Sequence, residues 1–231
     1  AATAISRTLA AEGIATLRFD FTGLGGSDGD FANTNYRSNV ADIVAAAAHL
    51  TGRGLAPSLL IGHSLGGAAV IRAAGEIDGI RAVATLGAPF DPAHVLHNFG
   101  AAADQIRRDG SGEVELGGRR FTLTWQFLDD LQDSEQEARI RSMRAALLVL
   151  HAPLDATVGI DNATRIFVAA KHPKSFVTLD GADHLLNQAE DAAYAARMIG
   201  TFAERYLDLP EPRHPINGEG EVVVELSGSG K

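Results

Sequence analysis

The chain has 231 residues, of which 45% are hydrophobic and 21% are charged, and 29 acidic against 20 basic residues give a net charge of −9. This is the composition of a globular domain with an ordinary core, and the negative charge argues against nucleic acid or an anionic membrane as the main partner. Cysteine is absent, which excludes disulfides, thiolate zinc sites and cysteine catalysis. No apolar run reaches the ~20 residues of a membrane span and no signal peptide is visible, so we expect a cytoplasmic protein.

Strand and helix patterns alternate along the first part of the chain. The hydrophobic periodicity and the stop signals predict a helix over 1–12, a strand over 14–20, a helix over 36–51, a strand over 57–61, a helix over 65–77 and a strand over 80–87. This alternation is typical of an α/β fold with a mostly parallel central sheet and helices on both faces.

The alternation is interrupted over 89–143, which we interpret as a lid inserted into the α/β scaffold. Two short helical pieces are predicted around 93–109, a hairpin that turns at Gly117–Gly118, and two helices near 124–132 and 134–143. The insertion also holds Phe99, Phe121, Trp125 and Phe127. These aromatic side chains either contact a partly apolar substrate or pack the lid onto the core.

The alternation then resumes to the end of the domain. A strand is predicted over 146–151, a helix over 159–170, a strand over 175–179 and a helix over 187–207. The segment 208–220 is rich in proline and turn formers and is predicted to be a linker. Residues 221–231 have a strand pattern, and because a lone strand is not stable we interpret them as the start of a second domain.

The clearest motif is Gly62-His63-Ser64-Leu65-Gly66, which is followed by Gly67 and lies between a predicted strand and a predicted helix. This is the G-x-S-x-G context, in which a serine on a tight strand-to-helix turn holds its hydroxyl above the sheet. The positions two before and two after the serine are expected to need small residues, because the two backbones nearly touch there. The motif predicts Ser64 as a nucleophile, and the alternative is an ordinary glycine-rich turn.

A nucleophilic serine needs a base, and the base needs an acid to orient it. On this fold the expected chain order is serine, acid, histidine, with each partner after a strand. Asp155 follows the strand 146–151 and His184 follows the strand 175–179. Asp161 competes for the role of the acid, but it lies inside a helical pattern, so Asp155 is favoured; the alternative for His184 is a surface loop histidine.

Four residues are predicted to line the substrate site. His63 is expected to form part of the wall under the nucleophile, without transferring a proton. Gly23 and Leu24 belong to a loop that follows a predicted strand and is expected to wall the site, and Trp125 is expected to reach it from the lid.

No cofactor and no metal is predicted. The loop 20–29 resembles a dinucleotide fingerprint, but Asp28 stands where the third glycine is required and no helix begins directly after it. His94 and His97 have i, i+3 spacing, but no further ligands accompany them, so a zinc site is not expected.

Four segments carry a family resemblance: GHSLGG, FDFTGLGGSDG, HAPLDATVG and DGADHLL. Over residues 1–207 the chain resembles the α/β-hydrolase superfamily, and more narrowly the hydrolase half of proteins in which such a domain is fused to a C-terminal OsmC-like domain. The resemblance implies an α/β-hydrolase fold with Ser64 as nucleophile, His184 as base and Asp155 as its orienting acid. It also implies an oxyanion hole with one donor from the backbone of Leu65 and a second from a loop that would precede residue 1.

The function expected from these residues is that of a serine hydrolase acting on a small-molecule acyl substrate, in a chain whose second domain is OsmC-like. Two alternatives stay open. The domain is a non-catalytic hydrolase-fold module that binds or positions something for the fused domain, or the same residues serve a peptidase or a perhydrolase.

Overall fold

The computed structural model describes residues 1–94, 96, 99–116, 119–132 and 135–207. In chain order its helices are α1 (Ala2–Ala11), α2 (Tyr36–Thr51), α3 (Leu65–Ala73), α4 (Ala101–Asp109), α5 (Trp125–Gln132), α6 (Gln136–Ser142), α7 (Asp161–Ala169) and α8 (Ala189–Glu204). Its strands are β1 (Leu59–His63), β2 (Ala82–Leu86), β3 (Ser111–Leu116), β4 (Arg119–Thr124), β5 (Ala146–His151) and β6 (Lys174–Thr178).

The main sheet has four parallel strands in the order β1-β2-β5-β6. The strand ends are in register, with His63 opposite Leu86, and Leu86 opposite Leu150. Because the strands are parallel, the loops that follow them all leave from the same edge of the sheet, which is where ligands of such folds bind. Ser64 and its two predicted partners, Asp155 and His184, all follow strands of this sheet.

Helices cover both faces of the sheet, as the alternation of the sequence predicted. All six residues of β5 are buried. Leu147 and Val149 belong to one apolar cluster, together with residues of α2, α3 and α7, whereas Leu148 and Leu150 belong to a second cluster with residues of α1 and α8. The two-residue period of a strand therefore divides the core into two layers.

The strand predicted over 14–20 is wrong. This segment pairs with no strand among the described residues, and residues 15–20 are exposed, with Leu17 at 48% and Phe19 at 40%. A strand is stable only where a neighbouring strand satisfies its N–H and C=O groups. The alternating pattern of the segment is a local property, and it contains no information on whether such a neighbour is present.

Among the described residues, the insertion 89–143 contributes no strand to the main sheet. It contains the antiparallel hairpin β3–β4, with Ser111 opposite Thr124, and the helices α4, α5 and α6. Phe99 and Phe127 are buried in the same cluster as α2 and α3, and the Phe121 ring lies 5.4 Å from that of Phe31. For these three aromatic residues the structure therefore favours packing onto the core.

Some predicted features lie outside the described residues. They are the turn at Gly117–Gly118, the linker 208–220 and the strand expected over 221–231. None of the helices in the described part of the chain has the length and apolar character needed to cross a bilayer.

A buried polar contact connects the insertion to the core. The hydroxyl of Tyr36 donates to Gln136 Oε1 at 3.1 Å, and Gln136 Nε2 donates to the carbonyl of Ala68 in α3 at 3.1 Å. Burial raises the pKa of Tyr36, so the hydroxyl keeps its proton and its role as donor. The helix that follows Ser64, α3, is thereby connected to α6.

We expect Tyr36→Phe to lower the free energy of unfolding by about 1–3 kcal/mol, because Gln136 Oε1 would stay buried without a donor. Urea unfolding measures the effect. Tyr194→Phe is the matched control, since Tyr194 is 40% exposed. Loss of its hydroxyl should change the free energy of unfolding by less than about 0.5 kcal/mol. Equal effects of the two substitutions would contradict the prediction.

Candidate active site

Ser64 lies on a strained turn between β1 and α3. Its backbone has φ 53° and ψ −128°, a positive φ that costs a non-glycine residue of the order of 1–3 kcal/mol. The N–H of Ser64 donates to the carbonyl of Leu86 at 2.8 Å, and the Ser64 carbonyl accepts from Gly67 at 2.8 Å. These bonds hold the turn, so that the serine follows the end of β1 directly.

The glycines of the motif are not equally required by the space around them. A Cβ on Gly62 would overlap the carbonyl of Gly66, which confirms the prediction for the position two before the serine. At Gly66 the prediction is wrong, because a Cβ there would meet only Phe21, at 4.0 Å. The second position that must be small is Gly67, whose Cβ would lie 2.6 Å from that of Ala88. The strand and helix backbones therefore approach closely as expected, but the second position that must lack a side chain lies one residue further along the chain.

The structure brings Ser64, Asp155 and His184 together from three loops. His184 Nε2 lies 3.0 Å from Ser64 Oγ, and His184 Nδ1 lies 2.6 Å from Asp155 Oδ2. Asp161, the competing acid, is exposed at the start of α7. The arrangement therefore favours Asp155 as the partner of the histidine.

The surroundings of Asp155 determine which nitrogen of His184 is protonated. Asp155 is 7% exposed, and burial alone would raise its pKa, but the hydrogen bonds from His184, Val158 and Thr157 outweigh that effect. The pKa of Asp155 therefore lies below its ordinary value, and the carboxylate is ionised. Since a carboxylate only accepts, Nδ1 of His184 carries the proton, and Nε2 is left to accept from the Ser64 hydroxyl.

Gly87, which follows β2, was missed by the sequence reasoning. It has φ +55°, and a Cβ on it would lie 3.3 Å from both Asp155 Oδ2 and His184 Nδ1. The hydrogen bond between the carboxylate and the imidazole therefore lies directly over a position that has no side chain. The signal in the sequence is a glycine directly after a buried strand, at the edge of the sheet where the other site residues gather.

We expect Gly87→Ala to lower kcat by about 10- to 100-fold, because the added methyl displaces the carboxylate–imidazole pair from its geometry. Steady-state kinetics on an ester substrate would measure this. Gly79→Ala is the control, since Gly79 has a similar φ of +83° but open space around its Cβ. Both variants share the backbone strain, so an equal loss of kcat would contradict the prediction.

Leu65 is the first residue of α3, and its backbone N–H has no acceptor within the helix. The N-terminus of a helix also carries a partial positive charge, which favours an anion next to it. An anion next to Ser64 would therefore be stabilised at the N–H of Leu65, and the oxyanion role predicted for this residue stays a prediction. The second donor, which the resemblance implies before residue 1, stays a prediction.

Two further histidines, His63 and His151, form hydrogen bonds to the main chain of the site loops. His63 Nε2 lies 2.6 Å from the carbonyl of His184, and His151 Nε2 lies 2.7 Å from the carbonyl of Val158. His151, the last residue of β5, is buried. Burial lowers the pKa of His63, so its ring is neutral under ordinary conditions.

The structure does not bring the remaining predicted wall residues to the same cavity as the serine, since none of Ser64, Asp155 and His184 lines the cavity that contains Gly23 and Leu24. Gly23 and Leu24 line a cavity of about 400 Å³ between their loop and β4, which contributes Phe121. Trp125 is 50% exposed at the start of α5 and does not line this cavity. The side chains of His94 and His97 lie outside those that the structure describes, and the described residues contain no group of three or more potential metal ligands.

A parallel sheet covered on both faces, with a serine on a strained strand-to-helix turn at its carboxyl edge, defines the class of α/β hydrolases. The comparisons agree with this class. The chain matches the model of the alpha/beta hydrolase family over residues 3–197. It therefore belongs to the alpha/beta hydrolase family, which places it in the hydrolase class of enzymes.

Several solved structures are similar to the chain. The esterase domain of a Rhodothermus marinus protein has 49% sequence identity and a TM-score of 0.74, covering 89% of this chain and 80% of that one. Est1E from Butyrivibrio proteoclasticus, with ferulic acid bound, has 22% identity and a TM-score of 0.70 over 88% and 82% of the two chains. Mouse alpha/beta hydrolase domain-containing protein 10 has 18% identity and a TM-score of 0.73 over 88% and 83%. A comparison with curated proteins finds no match.

Proposed function

We propose that the protein is a serine hydrolase that cleaves a carboxylic ester or a related acyl bond, with Ser64 as nucleophile, His184 as base and Asp155 as the orienting acid. The observation that carries the proposal is the continuous pair of hydrogen bonds from Ser64 Oγ through His184 to Asp155, at 3.0 and 2.6 Å. The 49% identity to an esterase domain supports an ester as the substrate.

In the first half of the proposed reaction, Ser64 Oγ attacks the acyl carbonyl carbon and its proton passes to His184 Nε2. The N–H of Leu65 donates to the oxygen that becomes negative. The bond to the leaving group then breaks, and His184 Nε2 gives its proton to the departing alkoxide, which leaves as the alcohol. An acyl ester on Ser64 remains.

In the second half, a water molecule attacks the acyl ester while His184 Nε2 takes its proton. The bond to Ser64 Oγ breaks, the carboxylic acid leaves, and the proton returns to the serine. Throughout both halves Asp155 holds the Nδ1–H and stabilises the positive charge that forms on the ring. The low pKa of this carboxyl suits the role, because an ionised acid is needed to orient the imidazole.

Fluorophosphonate labelling followed by peptide mapping tests the proposal. We expect covalent label on the peptide that contains Ser64, and loss of the label in the His184→Ala variant. His49→Ala is the control, since His49 is an exposed residue of α2, and it should be labelled as in the wild type. A folded protein that is not labelled would overturn the proposal and favour a non-catalytic binding module.

A substrate panel then identifies the acyl bond. p-Nitrophenyl acetate, a peptide p-nitroanilide, and an ester supplied with hydrogen peroxide distinguish an esterase, a peptidase and a perhydrolase. We expect the simple ester to give the highest kcat/KM of the three, and preferential cleavage of the anilide would overturn the ester assignment.

The OsmC-like second domain and the cytoplasmic location are likewise proposals, carried by the sequence alone. The strand pattern after the proline-rich segment supports the second domain. Reading the encoded sequence beyond residue 231 tests it, and fractionation of the source cells tests the location.

A further inference from the structure

The side chain of His63, the residue directly before Ser64, forms a hydrogen bond with the main chain of His184. Its Nε2 lies 2.6 Å from the carbonyl oxygen of His184. A carbonyl only accepts, so the proton must be on Nε2 of His63. One side chain, that of the residue directly before the nucleophile, thereby donates to the main chain of the base.

The two ends of this hydrogen bond are held in place by different hydrogen bonds. His63 is the last residue of β1, in register with Leu86 of β2, and the next residue, Ser64, donates to Leu86 as well. His184 lies in the loop between β6 and α8. Apart from this bond and those of the His184 ring, the hydrogen bonds of the loop after Leu179 join residues of the loop to one another, as far as the structure describes the chain.

Ring packing adds a second restraint on His184. The centroids of the His63 and His184 rings lie 4.9 Å apart, with 45° between their planes. The two rings therefore pack against each other, which limits the rotation of the His184 side chain. Both the main chain and the ring of the proposed base are restrained by a residue of the sheet.

We propose that His63 is a positioning residue, which holds the main chain of His184 at a fixed distance from Ser64 through its Nε2–H hydrogen bond. This inference rests on the proposed function of Ser64 and His184. Among the described residues, the His63 side chain forms no hydrogen bond with the hydroxyl of Ser64 or with Nε2 of His184, so it acts through the main chain of His184 and transfers no proton.

The acid loop shows the same arrangement. His151 is the last residue of β5, and its Nε2 donates to the carbonyl of Val158, 2.7 Å away. Val158 in turn donates its N–H to Asp155 Oδ1 at 2.9 Å. A histidine at a strand end thus restrains each of the two loops that carry the partners of Ser64.

Three variants of His63 separate positioning from packing. Glutamine carries an amide N–H the same number of bonds from Cα as Nε2 of histidine, whereas the amide of asparagine is one bond shorter, and phenylalanine keeps a ring without a donor. The readouts are kcat and KM for p-nitrophenyl acetate, the rate constant of fluorophosphonate inactivation, and the free energy of unfolding in urea. His49→Gln, at an exposed site on α2, is the control.

We expect His63→Asn and His63→Phe to lower kcat and the inactivation rate by about 10- to 100-fold, with KM changed by less than about threefold. His63→Gln should retain the rates to within about fivefold, because its amide restores the bond to the His184 carbonyl. The asparagine and glutamine variants should unfold at similar urea concentrations, since a purely structural role would lower stability and activity together.

Wild-type rates in the asparagine and phenylalanine variants would overturn the inference, as would a glutamine variant as slow as the asparagine one. An independent measurement is the ¹⁵N NMR spectrum of the His63 ring in the wild type, where the Nε2–H tautomer is expected near neutral pH and the Nδ1–H tautomer would overturn the inference. If fluorophosphonate does not label the wild type, the proposed function fails and this inference with it, whereas a labelled wild type with unaffected variants rejects the inference alone.

Discussion

Ser64→Ala is expected to lower kcat for ester hydrolysis by roughly 10⁴- to 10⁶-fold. The methyl group has no electron pair with which to attack an acyl carbon, so no acyl-enzyme forms. The free energy of unfolding should change little, because the turn is held by main-chain hydrogen bonds that alanine keeps. The measurement combines steady-state kinetics with urea unfolding of the same preparation.

Ser6→Ala is the matched control for this substitution. Ser6 lies in α1, and its hydroxyl donates to the carbonyl of Thr3 at the protein surface. Its loss should leave kcat unchanged within about twofold. A Ser64→Ala variant that keeps a tenth or more of the activity while folded would contradict the nucleophile assignment, since no other described serine contacts His184.

Asp155→Asn is expected to lower kcat by about 10⁴-fold, mainly through the tautomer of His184. The asparagine amide can donate to Nδ1, which would move the proton to Nε2 and remove the acceptor for the Ser64 hydroxyl. The loss of the negative charge also removes the stabilisation of the imidazolium. KM should change little, because the carboxylate binds the base and not the substrate.

Asp161→Asn decides between the two acids that the sequence left in competition. Asp161 is exposed in the first turn of α7, where its negative charge next to the helix N-terminus stabilises the helix by about 0.3–1 kcal/mol. We expect this variant to keep its kcat within about twofold. A large loss of kcat in Asp161→Asn, with an active Asp155→Asn variant, would reverse the assignment.

Some of the site follows from the sequence because its pattern lies in consecutive residues. The pentapeptide around Ser64 needs its small residues within a few positions, and a strand before and a helix after it are visible from their periods. The positions of Asp155 and His184 follow from the order of strands in a parallel sheet, since each follows a strand that ends at the same edge.

Chain order also placed most of the helices and strands, because alternation of buried strands and amphipathic helices permits few other folds. The boundaries moved by a few residues, as at α3, which ends at Ala73 rather than at residue 77. The failure at 14–20 has a different origin. The segment has the local pattern of a strand, but pairing depends on a second segment, which its own residues do not specify.

The sequence by itself determined the fold class, the strained serine turn, and the candidates for the acid and the base, since each depends on local periodicity or on order along the chain. Only the tertiary structure decided that Asp155 rather than Asp161 meets the histidine, that Gly87 leaves room for that pair, and that His63 and His151 donate hydrogen bonds to the loops that carry the base and the acid. These are contacts between side chains and backbones of different loops, such as Ser64 and His184, which lie 120 positions apart. Their geometry arises only when the parallel strands bring their carboxyl ends to one edge of the sheet.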